Sequence, residues 1–265
     1  MKTPVHKPPG ARAIRRVHKL LLSHYGQRTP ARRDPLDGLI LIILSQATND
    51  INCDRAFQTL KDTYPTWEDV LSAPTANVAA AIRCGGLANQ KAARIQQLLS
   101  EIKTDRGSLD LSWMAGASAA ECTAYLSKFH GVGPKTIACV LVFFLDKPAF
   151  PVDTHVHRVT IRLGWVRLQA GAGEAHRVLE AVVPDDCKLN LHVNLIMHGR
   201  AICRADGNGG PRCGECFLRP HCAYGKSLRT PARETIPTVS AKSTSGDFFV
   251  TLQPREEPGS REPGS

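Results

Sequence analysis

Apolar residues recur at intervals of three and four over most of the chain, which is the spacing of one face of an α-helix. This spacing is found in residues 14–25, 56–63, 78–82, 92–102, 175–183 and 191–202. Residues 39–44 are apolar on every side, so we expect that helix to be central and buried. The alternation typical of a strand exceeds four residues only at 248–252. The pattern therefore predicts an all-α fold.

Two of the predicted helices meet at a glycine turn near the middle of the chain. Ser118 followed by Glu121 is the pattern of a capping box, which predicts a helix running to residue 129. Pro134 suits the first position of the next helix, because its missing N–H costs nothing there. Gly131 and Gly133 lie between the helices and permit positive φ. The free N–H groups of the second helix make this hairpin a candidate phosphate site.

The ends of the chain differ in composition from the body between them. Residues 1–10 contain three prolines, and residues 226–265 are rich in Ser, Thr, Pro and Gly, so both segments are predicted to be disordered. We expect a first helical domain over residues 31–137, ending in the hairpin. Residues 11–30 and 138–225 are expected to form a second helical domain, so the chain would leave this domain and return to it.

Positive charge is concentrated at the N-terminus. The formal net charge is +10, and residues 1–33 contain nine Lys and Arg and no acidic residue. This balance indicates a polyanionic partner, and a solvated basic surface is the alternative to direct phosphate contact. No apolar run is long enough to span a bilayer, and we recognise no signal peptide. We therefore expect a cytoplasmic protein with no membrane partner and with reduced thiols.

Four cysteines near the C-terminus have a spacing that suggests a metal centre. Cys203, Cys213, Cys216 and Cys222 follow the pattern C-x9-C-x2-C-x5-C. Four thiolates in a reduced protein can bind zinc or an iron–sulfur cluster. Zinc motifs usually contain two short C-x2-C pairs, and the single pair here favours an iron–sulfur cluster. The other five cysteines are scattered singly, and we expect them to be buried as small apolar side chains.

Lys135 and Asp153 are candidates for catalysis. The N-terminus of a helix and partial burial both lower the pKa of a lysine, which would favour a neutral, nucleophilic amine at Lys135. An exposed lysine that binds phosphate is the alternative. Asp153 is placed to cap the next helix, a role that can coexist with stabilising cationic charge or transferring a proton. Residues 146–152 can reach about 24 Å, so the chain can bring Asp153 back to Lys135.

The order of these motifs resembles the bacterial endonuclease III family over roughly residues 12–224. The matching segments are GVGPKT at 131–136, VDTHVHR at 152–158, MHGR at 197–200 and the four cysteines. The resemblance implies a DNA glycosylase with AP lyase activity, a helix-hairpin-helix motif and a 4Fe-4S cluster on the four cysteines. It further implies that Lys135 is the nucleophile and Asp153 the essential carboxylate.

The resemblance also implies which residues contact DNA. Gln46, in LSQATND at 44–50, would fill the gap left by a flipped base, and Leu87, in GLANQKA at 86–92, would enter the duplex as a wedge. The full set of implied DNA contacts is Gln46, Leu87, Gly131, Gly133, His155 and Arg212. The family commonly has six residues between the first two cysteines, whereas this chain has nine.

The function expected from the sequence is removal of damaged, oxidised pyrimidines from double-stranded DNA, followed by cleavage at the abasic site. The enzyme is expected to be a monomer in the bacterial cytoplasm. One alternative is a mismatch adenine glycosylase, although those relatives usually lack the lysine and carry an extra C-terminal domain. The other alternative is a non-catalytic, zinc-containing DNA-binding module.

Overall fold

The computed structural model of the protein describes residues 6–30, 33–228 and 249–252. Within these residues the α-helices follow in the order α1 Ala11–Tyr25, α2 Pro35–Leu44, α3 Asp50–Thr63, α4 Trp67–Ser72, α5 Thr75–Ala81, α6 Ala88–Arg106, α7 Ala119–Leu126, α8 Pro134–Phe144, α9 Thr154–Leu163, α10 Ala172–Val182, α11 Lys188–Ala201 and α12 Ala223–Ser227. The only strands in this part of the chain are β1, Arg28–Pro30, and β2, Val250–Leu252. The predicted all-α fold is therefore confirmed.

Helix α2 has the central position that its apolar sequence predicted. Every residue of α2 except Asp37 is buried. Asp34 caps the helix by accepting hydrogen bonds from the backbone N–H groups of Leu36 at 2.9 Å and Asp37 at 3.1 Å. Pro35 occupies the first turn, where its missing N–H leaves no bond unmade.

Local capping sets the ends of the shorter helices. The capping box of Ser118 and Glu121 opens α7 as predicted, with both reciprocal hydrogen bonds present. Helix α7 ends at Leu126 rather than at residue 129, because the chain turns there toward the hairpin. Helix α4 is not foreseen by the sequence pattern, and a capping box of Thr66 and Asp69 opens it.

The buried side chains form two hydrophobic cores. The first core contains buried residues of α2 to α8, and the second is built mainly from α1, α9, α10, α11 and the segment around the cysteines. Helix α11 contributes to both, since Val193 lies in the first core and Leu195 in the second. The buried side chains of residues 138–145, which follow the boundary expected after residue 137, pack in the first core together with Ile137. The boundary itself stays a prediction.

The described residues at the two ends of the chain contact its body. His6, in the segment 1–10 expected to be disordered, makes a hydrogen bond from its Nε2 to the carbonyl oxygen of Gly164 at 3.1 Å. Strand β2, in the tail 226–265 expected to be disordered, pairs antiparallel with β1. Residues 1–5, 229–248 and 253–265 lie outside the described part of the chain.

None of the helices in the described ranges has the length and apolar character required to cross a membrane.

Candidate active site

A cavity of about 700 Å³ is lined by residues of both cores. Its walls come from the end of α2, the hairpin, α8, the start of α9, α11 and the residue before β2. Six of the residues expected from the sequence to act on DNA line this cavity: Gln46, Gly131, Gly133, Lys135, Asp153 and His155. The fold therefore brings together residues that are more than a hundred positions apart in the chain.

The hairpin places Lys135 at the start of α8. Gly131 has φ +75°, and the Arg94 guanidinium lies 2.6 Å from where a Cβ at this position would be, so a side chain would need both positive φ and a shift of Arg94. Gly133 instead has an extended conformation and is the N-cap of α8. Lys135 is half-buried and follows Pro134 in the first turn. The first backbone N–H groups of a helix have no acceptor within the helix, so this turn offers free donors beside Lys135.

Lys135, Cys139 and Phe143 form one stripe along α8. They are four residues apart, which places them on the same face of the helix, and all three line the cavity. Burial raises the pKa of the Cys139 thiol, while a hydrogen bond and positive charge from Lys135 lower it and Asp153 raises it further. The thiol is thus close to both the amine and the carboxylate.

Asp153 is the N-cap of α9, as the sequence predicted. Its Oδ1 accepts a hydrogen bond from the backbone N–H of Val156 at 2.7 Å. This bond fixes the carboxylate at the edge of the cavity.

His192 lines the same cavity as Lys135 and Asp153, although no sequence pattern singles it out. Its Nδ1 lies 2.8 Å from the carbonyl oxygen of Pro151. A carbonyl can only accept, so Nδ1 carries the proton. Burial lowers the pKa of His192 to about 4; the charge of Asp153 opposes this shift, and the charge of Lys135 adds to it. The charges of the amine and of the carboxylate therefore shift the pKa of the same imidazole in opposite directions.

Gln46 is held in place by a side chain of another helix. Gln46 follows α2, and Arg94 Nη1 of α6 donates a hydrogen bond to its Oε1 at 3.1 Å. The same guanidinium packs against Gly131, so Arg94 links the expected gap-filling residue to the hairpin.

Leu87 lies outside the cavity but is conformationally unusual. Its side chain is 52% exposed, and it adopts φ +50° immediately before α6. A leucine in this left-handed region costs about 1–2 kcal/mol, and such strain is concentrated at functional sites. The loop therefore presents an apolar side chain to solvent in a strained conformation.

His155 and Arg158 join the cavity to the cysteine segment. Burial lowers the pKa of His155, a shift that Asp153 opposes. Arg158 Nη2 lies 3.0 Å from His155 Nδ1, and Arg158 Nε donates to the carbonyl oxygen of Cys203 at 3.0 Å. One turn later, Arg162 Nη1 donates to the carbonyl oxygen of Arg204 at 2.6 Å. Helix α9 thus holds the candidate carboxylate at one end and the cysteine segment along its side.

The four cysteines line one small cavity of about 20 Å³. Arg162 Nη1 donates to Cys203 Sγ at 3.4 Å, and the backbone N–H of Gly225 donates to Cys222 Sγ at 3.3 Å. His198 Nε2 lies 3.5 Å from Cys216 Sγ. Nitrogen atoms close to three of the sulfurs suit thiolate ligands, and an all-thiol donor set suits an iron–sulfur cluster. Within the described ranges, no three or more His, Cys, Asp or Glu side chains are arranged to hold a metal ion.

Arg212 is not among the residues that the fold gathers around Lys135. It lines the cysteine cavity and forms an ion pair with Glu215. Its contact with DNA stays a prediction.

The basic side chains of the N-terminal region differ in exposure and in their partners. Arg15 forms a bidentate ion pair with Asp186, at 2.5 and 2.9 Å, and Arg28 is buried. The basic residues Arg12, Arg15, Arg16 and Lys19 of α1 are all exposed. Lys2, one of the nine basic residues of segment 1–33, lies outside the described residues.

Comparison with known proteins agrees with this geometry. Residues 40–185 match the family model described as HhH-GPD superfamily base excision DNA repair protein. The chain is 34% identical over 197 residues to endonuclease III of Thermotoga maritima, covering 74% of this chain and 86% of that protein. It is 46% identical over 165 residues to an Arabidopsis thaliana protein named as a candidate DNA glycosylase, covering 62% of this chain and 56% of that protein.

A solved structure of a non-covalent endonuclease III–DNA complex has the same fold. It superposes with a TM-score of 0.69 at 28% identity, over 82% of this chain and 97% of that one. The chain belongs to the HhH-GPD superfamily of base excision DNA repair proteins. Within that superfamily it is a member of the endonuclease III-like family.

Proposed function

We propose that this protein is a bifunctional DNA glycosylase and AP lyase that removes oxidised pyrimidines from double-stranded DNA. The observation that carries the proposal is that Lys135 and Asp153 line one cavity together with the buried His192. The family of the chain and its likeness to an endonuclease III–DNA complex support DNA as the partner.

The proposed reaction begins with nucleophilic attack by the amine of Lys135. Its Nζ bonds to the sugar C1′ while the bond from C1′ to the base breaks, and the base leaves with the electron pair and takes up a proton. Asp153 stabilises the positive charge that develops on the sugar. Opening of the sugar ring leaves a Schiff base between Lys135 and C1′. Loss of a proton from C2′ and departure of the 3′-phosphate then complete β-elimination.

The residues around the cavity have distinct parts in holding the DNA. The hairpin N–H groups bind backbone phosphate, Leu87 enters the duplex as a wedge, and Gln46 occupies the gap left by the flipped base. Neither a mismatch adenine glycosylase nor a zinc-containing binding module would require a lysine and a carboxylate in one cavity. The endonuclease III relatives favour oxidised pyrimidines as the lesion class.

The cysteine segment is proposed to hold a 4Fe-4S cluster through Cys203, Cys213, Cys216 and Cys222. When bound, such a cluster ties the ends of this segment together. Arg158 and Arg162 connect the segment to α9, so the cluster supports the helix that Asp153 caps.

Trapping with borohydride tests the proposed chemistry. Borohydride reduces a Schiff base to a stable bond, so the wild-type protein should become covalently attached to duplexes containing an abasic site or thymine glycol. Lys135→Gln should abolish trapping and keep DNA binding within a few-fold, because one charge among many contributes little affinity. Lys103→Gln, on the exposed surface of α6, is the matched control and should trap normally. Undiminished trapping by Lys135→Gln would assign the nucleophile to another residue.

A further inference from the structure

The C-terminal strand returns to the catalytic cavity after the cysteine segment. Strand β2 pairs with β1 in the register Arg28↔Leu252, Thr29↔Thr251 and Pro30↔Val250. Val250 is 1% exposed and belongs to the first core. Strand pairing and burial together fix the position of the residue that precedes the strand.

That residue, Phe249, forms part of the cavity wall. Its ring stacks on Phe143 with centroids 5.3 Å apart and an interplanar angle of 20°, and it meets Phe144 edge-on at 5.9 Å. Phe249 lines the same cavity as Lys135 and Asp153. Among the Phe, Tyr and Trp side chains of the described residues, only Phe143 and Phe249 line it.

Helix α8 sets the distance between this aromatic pair and the amine of Lys135. Phe143 lies eight residues after Lys135 on the same face of the helix, so the pair begins about two turns from the amine. The separation along the helix axis is about 12 Å. A nucleotide whose C1′ is at Lys135 extends its base away from the sugar, and the aromatic pair closes one side of the space beyond the amine.

Phe249 does not block this space. The volume of about 700 Å³ is what the cavity retains with Phe249 in position, and it lies within the range of ligand-binding pockets. Enzymes that flip a base read it partly by stacking between aromatic or apolar side chains. An aromatic wall favours a planar base, because a ring that has lost its double bond is puckered and cannot lie flat against it.

We propose that Phe249 is a specificity-determining residue that stacks against the flipped base and selects planar pyrimidines over ring-saturated ones. The proposal rests on the glycosylase function proposed above and adds a substrate class to it. An oxidised pyrimidine that keeps its planar ring, such as 5-hydroxyuracil, is the preferred class. Thymine glycol, whose ring is saturated, is the disfavoured class.

Single-turnover assays with three duplexes test this role: base excision from 5-hydroxyuracil and thymine glycol duplexes, and strand cleavage at an abasic site. The wild-type protein should excise 5-hydroxyuracil faster than thymine glycol. Phe249→Leu keeps an apolar side chain against Phe143 but has no aromatic face, so it should lose about tenfold on 5-hydroxyuracil. Its rates on thymine glycol and on abasic DNA, which offer no planar base, should change less than about threefold. Phe249→Tyr, which keeps the ring, should retain the wild-type preference.

A merely structural role would give a different result. If Phe249 only anchored the strand, Phe249→Leu would lower all three rates together or lower none, and either outcome would overturn the proposal. Thermal melting of each variant shows whether the fold is kept.

Binding measurements separate this proposal from the catalytic one. In a Lys135→Gln background, adding Phe249→Leu should reduce the preference for 5-hydroxyuracil duplex over undamaged duplex. An unchanged preference would count against the stacking role even if no Schiff base forms. Absence of trapping by the wild-type protein on abasic DNA would instead reject the catalytic proposal and leave the binding test intact.

Discussion

Asp153 accepts a hydrogen bond from the backbone N–H of Val156 at 2.7 Å, so the carboxylate that lines the cavity with Lys135 is also the N-cap of α9. One side chain therefore has two separable roles. The cap needs only an oxygen that accepts a hydrogen bond, whereas the proposed catalytic role needs negative charge.

Replacing Asp153 by Asn should separate these roles. Asp153→Asn keeps an accepting oxygen for the cap, and Asn caps helices about as well as Asp, so its melting temperature should stay close to the wild-type value. Single-turnover excision should fall about 100-fold or more, because the charge is lost. Asp153→Ala should lose both the helix cap and the negative charge. Loss of the cap should lower the free energy of unfolding by about 1 kcal/mol. A normal excision rate in Asp153→Asn would leave Asp153 with the capping role alone.

The cysteine segment predicts a coloured, iron-containing protein. Protein purified under anaerobic conditions should be yellow-brown, with broad visible absorption and about four irons per chain. Cys216→Ser should reduce the iron content and lower the melting temperature, because the segment loses a ligand that holds it together. Cys84→Ser, a half-buried cysteine outside the segment, is the control and should keep its iron. Stoichiometric zinc without iron would reject the cluster assignment.

The strained backbone at Leu87 predicts a separation of stability from activity. Leu87→Gly removes strain of about 1–2 kcal/mol at the price of chain entropy of about 0.5–1 kcal/mol, so the variant should unfold at the wild-type temperature or slightly above it. Excision from duplex DNA should fall about tenfold or more, because the wedge is gone. Leu168→Ala, at a leucine that is 75% exposed, is the control and should excise normally. Normal excision by Leu87→Gly would exclude the wedge role.

The sequence predicts the parts of this fold whose determinants are local. The periodic segments, the capping box at Ser118 and the cap at Asp153 each depend on residues within one turn of a helix. The sequence predicts that Asp153 can lie close to Lys135, because only a short linker separates their helices. The sequence pattern does not predict α4, because the helix has only six residues and its capping box ends in Asp69, which is a weaker signal than Glu.

The remaining features depend on contacts between distant parts of the chain. His192 lies on a helix without a distinct polar face, and only the return of α11 to the loop at Pro151 brings its ring to the cavity. Cys139 could have been selected from its spacing of four residues after Lys135. Phe249 could not, because its place depends on pairing between strands more than two hundred residues apart.

The buried imidazole of His192 predicts a specific loss of stability in acid. Its pKa is lowered to about 4 by burial, against an unfolded value of about 6.5. Between these values the unfolded chain binds a proton that the folded protein does not, so unfolding becomes easier as the pH falls. The contribution is fully present above about pH 6.5 and is lost as the pH falls toward about 4.

Replacing His192 by Asn isolates this effect. Asn places an N–H close to the position of Nδ1, so it can keep the hydrogen bond to Pro151, and it does not titrate. The fall in unfolding free energy between pH 7 and pH 5, measured with urea, should be about 2 kcal/mol smaller in His192→Asn than in the wild type. His130→Asn, at an exposed histidine, is the matched control and should keep the wild-type pH dependence. Equal pH dependence in wild type and His192→Asn would mean that the imidazole takes up its proton in the folded protein as easily as in the unfolded chain. The description of His192 as a neutral imidazole in the cavity of Lys135 and Asp153 would then need revision.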